Sequence, residues 1–159
     1  MLLKPKSLLL SFLILFISHT NVFAQEKNKA PLWQDFSETT LQKLKGDRQI
    51  IPNVYRTVSL NLDAMQQILA QAPMRFSLEA QNIQVLIVLP MPDGSTQSFK
   101  IVEAPVLHPD LGAKYPMIRS YAGQGIDDPT AFLRFDVTQK GFHAMILTGK
   151  SSTVFIDPY

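Results

Sequence analysis

The sequence contains no cysteine. That excludes disulfides, thiolate metal sites, iron–sulfur clusters and thiol catalysis. It also has no H-E-x-x-H, no G-x-S-x-G and no Walker loop, the patterns that place zinc, an activated serine or a phosphate cradle. Its one G-x-G, Gly123-Gln124-Gly125, lacks the third glycine of a dinucleotide fingerprint and reads as a turn. Neither sign of charge dominates, and no basic run is interleaved with aromatics. Nucleic acid and anionic membrane are therefore not expected as partners. Long hydrophobic runs are missing too. Leu8 to Ile17, broken by Ser11, is about half the ~20 residues that a spanning helix needs.

That short run has the layout of an export signal covering Met1 to Ala24. Lys4 and Lys6 precede it, and Val22-Phe23-Ala24 fits a small-x-small cleavage site between Ala24 and Gln25. Removing the signal takes two lysines and leaves as many Lys and Arg as the 13 Asp and Glu, a formal net charge of zero. The expected location is secreted or at the cell surface, with no membrane contact after cleavage. Without cysteine the mature chain must fold by core packing alone, which a domain of ~135 residues can do. The expected organisation is a signal peptide at 1–24, a flexible or short-helical arm at 25–52, and a β-rich domain at 53–159. The arm starts polar (Gln25–Ala30). Trp33 is expected to dock it onto the domain, and Ser37 to start a helix through Leu44 that Gly46-Asp47 ends.

The strongest local pattern is Asn82 to Pro105. Ile83, Val85, Ile87 and Leu89 share one face of an extended chain, and Leu86 and Val88 make the other face apolar. Such a strand is expected in a sheet interior, covered on both sides. Pro90, Pro92, Asp93 and Gly94 form the turn. Thr96 to Glu103 returns with Phe99 and Ile101 on one face and Ser98 and Lys100 on the other. Before this hairpin, Tyr55 to Leu60 reads as a strand. Leu62, Met65, Leu69 and Ala72 recur at helical spacing, with Asn61 or Asp63 as N-cap and Pro73 as terminator. After it come at most two helical turns between Val106 and Pro116, a strand from Met117 to Ala122 and three further short strands. These are Leu133–Val137, Phe142–Ile146 and Val154–Ile156. The expected fold class is α+β: a predominantly antiparallel β-meander sheet with one main amphipathic helix packed on it.

Chemistry is thinly marked. His108 sits in a His-Pro-Asp loop where it can meet Asp110. That is either a capped turn, the favoured reading, or part of a metal or proton-transfer site. His143 is read as a half-exposed strand residue rather than a ligand. Asp127 and Asp128 are read as turn chemistry, since two acids fall short of a calcium shell. Ser98–Lys100 and Tyr121–Gln124 are candidate binding surfaces for a peptide or glycan.

Three ordered segments, LPMPDGSTQSFKIVEAPVLHPDLGAKYPMIRSYAGQGIDDP, GFHAMI and VFIDPY, resemble the N-terminal pro-region of secreted bacterial zinc metalloproteases of the reprolysin-like type. The resemblance runs from about Tyr55 to Tyr159. It implies a pro-domain that covers a protease cleft or assists its folding. It also implies a downstream catalytic domain carrying the zinc and H-E-x-x-H-x-x-G-x-x-H, and that domain as intramolecular partner. On this reading the chain is an N-terminal piece of a longer polypeptide and is not itself an enzyme. It holds no cofactor, catalytic residue or metal ligand of its own. Pro90, Pro92, Asp93 and Gly94 are the candidate interaction turn. The alternative is a secreted β-rich binding or adhesion module.

Overall fold

The structure, a computed structural model, describes residues 31–45 and 52–159. The signal segment, the Ala24/Gln25 cleavage site, the polar stretch after it and the Gly46-Asp47 helix end lie outside the described residues. In chain order the elements are β1 (Trp33–Asp35), α1 (Glu38–Lys45), β2 (Val58–Leu60), α2 (Leu62–Leu69), α3 (Glu79–Asn82), β3 (Val85–Pro90), β4 (Thr96–Glu103), α4 (Pro109–Lys114), β5 (Arg119–Gly125), β6 (Phe132–Thr138), β7 (Gly141–Leu147) and β8 (Val154–Ile156). Six strands form one curled antiparallel sheet in the order β3-β4-β5-β6-β7-β8. β1 and β2 make a separate antiparallel pair. The α+β meander with a main helix packed on it is therefore the architecture.

Alternation decides which side chains go inward. Along β4, Phe99 and Ile101 are buried while Ser98 and Lys100 point the other way. The same inner face carries Ile87 of β3, Leu133 of β6 and Ile146 of β7. Helix α2 covers it, with Met65 and Leu69 buried against the sheet. Burying each is worth about 1.5–3 kcal/mol. Asn61 starts that helix, its side chain accepting from the Ala64 amide at 3.1 Å, which satisfies one of the free N–H groups of the first turn. Four aromatic rings tie the sheet to the arm. Tyr121 stacks on Phe135 at 4.8 Å, Phe135 meets Phe142 at 5.4 Å, and Phe142 takes the edge of Trp33 at 5.5 Å.

Two expectations need correction. β3 is an edge strand, not an interior one. Leu86 and Val88 remain 48% and 43% exposed, so its second apolar face is only partly covered by the described residues. The open edge is partly closed by the arm: Trp33 Nε1 donates to the Val88 carbonyl at 2.9 Å, which docks the arm as expected. Second, Gly123 and Gly125 do not break a strand but lie inside β5. A Cβ on Gly125 would sit 2.2 Å from the Asp128 carbonyl oxygen, so the bare backbone lets the following turn fold back onto the strand.

Between α2 and α3 the backbone does something no pattern announces. Phe76 has φ +67°, the one non-glycine residue with positive φ among those described. For a bulky side chain this conformation is uncommon and costs about 1–3 kcal/mol.

Candidate functional site

A concavity of about 810 Å³ is a groove walled by three parts of the chain. The segment leading into β2 supplies Tyr55 and Arg56, the β3–β4 hairpin supplies Pro90 and Pro92, and the last strand supplies Val154 and Ile156.

The hairpin wall is stiff. Gly94 N donates to Met91 O at 3.1 Å and Met91 N to Ser95 O at 2.9 Å. Gly94 takes φ +90°, the left-handed position that follows such a corner and that glycine adopts without steric cost. Asp93 Oδ1 accepts from the Ser95 amide at 2.9 Å and the Ser95 hydroxyl at 2.6 Å. These bonds hold the Asp93 carboxyl below its ordinary range. Pro90 is buried as the last residue of β3, Pro92 is half-buried, and Asp93 and Gly94 form the exposed tip. Of the candidate interaction turn, then, the two prolines face the groove, while the other two residues do not line it.

Arg56 joins this hairpin to the arm. Its guanidinium makes a two-pronged pair with Asp35, Nε to Oδ1 at 2.6 Å and Nη2 to Oδ2 at 3.1 Å. It also donates from Nη1 to the carbonyls of Gly94 at 3.2 Å and Ser95 at 3.4 Å. The fork geometry suits this double role, and the pairing lowers the Asp35 carboxyl. No local signal around Tyr55-Arg56-Thr57 marks this residue, because its partners lie far along the chain. The far wall is fixed at β7. A Cβ on Gly141 would lie 2.8 Å from the Pro158 ring, so the segment after β8 packs directly on the β6–β7 turn.

The other candidate residues are placed as follows. His108 Nδ1 accepts from the Asp110 amide at 3.4 Å and opens α4, which is the capped turn. His143 Nδ1 lies 3.2 Å from Asp136 Oδ1, across a strand pair, and is half-exposed. The register also aligns Ser120 with Asp136. This row does not make a nucleophile, because the carboxylate stands between the hydroxyl and the imidazole. Ser120 Oγ already donates to the Ala104 carbonyl at 3.1 Å, whereas an activated serine must bond its base.

Asp127 and Asp128 are structural. Asp127 Oδ2 accepts from the Ser98 amide at 2.6 Å. Asp128, only 4% exposed, accepts from Thr148 Oγ1 at 2.6 Å, Thr130 Oγ1 at 2.8 Å, the Thr130 amide at 3.0 Å and Lys150 Nζ at 3.1 Å. The Thr148 hydroxyl leads the bonds that hold its carboxyl far below the ordinary range. Tyr121 to Gly123 are buried, so of the candidate surface Tyr121–Gln124 only Gln124 is exposed. Among the described residues no three His, Cys, Asp or Glu side chains are grouped to hold a metal, and no helix is long and apolar enough to cross a membrane. Comparison of the chain with protein-family models, with curated proteins and with solved structures finds no match.

Proposed function

We propose that this chain is the signal peptide and pro-domain of an exported zinc metallopeptidase precursor, and that it acts by covering its protease rather than by catalysis. One observation carries the reading. The three sequence segments that resemble such pro-regions are separate stretches of the chain, and each sends residues to the same groove: Pro90 to Pro92, Gly141 and Phe142, and Val154 to Tyr159. Zinc belongs to the catalytic domain. This segment has no cysteine to supply a thiolate, so it acts on the cleft as a steric cover or through a carboxylate or imidazole.

The physical logic is one of tethering. A partner on the same polypeptide acts at a high effective concentration, so a modest interface keeps a cleft shut. A rigid groove wall, built from the Pro-Asp-Gly corner and the Arg56 fork, limits the ordering cost of that interface. The domain is then secreted or held at the cell surface with its enzyme.

The test is inhibition in trans. Purified residues 25–159 are added to the catalytic domain encoded with this chain, and hydrolysis of a fluorogenic peptide is followed. Saturable inhibition is expected, weakened when Pro92-Asp93-Gly94 is replaced by three serines. Full protease activity at saturating pro-domain, with binding to a peptide or glycan array instead, would replace this reading with that of an adhesion module.

A further inference from the structure

The loop before α3 presents Phe76 in a way the fold itself does not need. Its ring is 88% exposed and its neighbour Leu78 is 76% exposed. The backbone at Phe76 is held at φ +67°, where glycine would sit without strain. The residue thus disfavours the monomer in two independent ways, through the backbone and through a solvated aromatic ring.

The loop is nonetheless locked. Arg75 N donates to Glu103 O at 2.8 Å, Glu103 N to Pro73 O at 2.9 Å, and Ser77 N to Met74 O at 3.1 Å. Ser77 Oγ accepts from the Ala80 amide at 3.2 Å. The backbone that carries the ring is therefore held in place, with Met74 and Leu78 exposed beside it. The Arg75 guanidinium lies 4.5 Å from the ring centroid. Among the described residues it has no carboxylate partner.

We propose that Met74–Leu78 is a docking loop, and that Phe76 is the anchor that enters an apolar pocket on the protease domain, with Arg75 meeting a carboxylate at the pocket rim. This rests on the pro-domain reading and adds a second contact, because none of these residues lines the groove. A preorganised aromatic flanked by an arginine has the make-up of an interface hot spot. Charge favours a protein over a lipid surface. The loop carries one cation, with Glu79 and Glu103 close by in sequence or hydrogen bonding, whereas binding to anionic membrane needs a cluster of basic residues.

The experiment measures inhibition of the same catalytic domain by wild type, Phe76→Gly, Phe76→Ser and Arg75→Ala, alongside each variant's thermal midpoint. Both Phe76 variants are expected to inhibit at least ~10-fold more weakly, and Arg75→Ala roughly 3-fold more weakly. The midpoint of Phe76→Gly is expected to stay level or rise, because the strain is relieved. A purely structural Phe76 would instead lower the midpoint and the inhibition together. Wild-type inhibition that Phe76→Gly retains in full overturns this inference and leaves the pro-domain reading standing. Absence of wild-type inhibition overturns both. Phe76-dependent binding to phosphatidylethanolamine–phosphatidylglycerol vesicles, with inhibition unchanged, overturns the protein pocket in favour of a membrane.

Discussion

Asp128 is the one buried charged side chain among the described residues, and its four donors come from two different turns. It joins the β5–β6 connection to the residues after β7 through Thr148 and Lys150. Its depressed carboxyl fixes the sign of an acid effect. The unfolded chain takes up the proton at about pH 4, while the folded chain resists it to much lower pH. The stabilisation is thus whole at neutral pH and is lost as the pH falls below about 4. Asp128→Asn is expected to lower the thermal midpoint by several degrees at pH 7, with the gap to wild type closing on acidification; differential scanning calorimetry across pH reads both. At Gly125, whose Cβ would meet the Asp128 carbonyl, substitution by alanine is expected to cost about 1–3 kcal/mol in urea unfolding. Neither residue declares its role in sequence. An Asp-Asp-Pro turn was legible, but Thr148 and Lys150, which help make it a buried anchor, lie on a turn two strands later.

Elements were legible where alternation is long. β4 spans Thr96–Glu103, the bounds read from its sequence, because Phe99 and Ile101 alternate with Ser98 and Lys100 and so fix which face turns inward. Face polarity says nothing about neighbours, however, so the apolar second face of β3 pointed to an interior position that the strand does not occupy. β1 has three residues and was unreadable for lack of length. Only its tryptophan gave a signal, and that signal was for docking. The groove was illegible for the same reason as Arg56, since no local window contains its three walls. This arrangement makes the arm a separable layer. Trp33→Ala is expected to raise hydrogen exchange in β1 and β2 while protection in β4 to β7 stays near wild type, as mass spectrometry of exchanged peptides would read. Equal loss of protection everywhere would mean that the arm and sheet open as one unit.

For the whole molecule, the order of strands in the six-stranded sheet is the order of strands in the chain. Each pairing is made with the preceding neighbour, and every connection but the α4-containing one between β4 and β5 is short, so the sheet forms mainly through local contacts, which form quickly. The arm is the exception. It comes before the sheet in sequence, yet it rests on β7 through Phe142 and on β3 through Val88. Its docking surface is incomplete until the penultimate strand is in place. The sequence contains a single tryptophan, and that residue is the docking group. Intrinsic fluorescence therefore reports latching of the arm, whereas far-ultraviolet circular dichroism reports the sheet. In stopped-flow refolding the fluorescence change should trail the dichroism change. The first described part of the chain would then be the last to find its place.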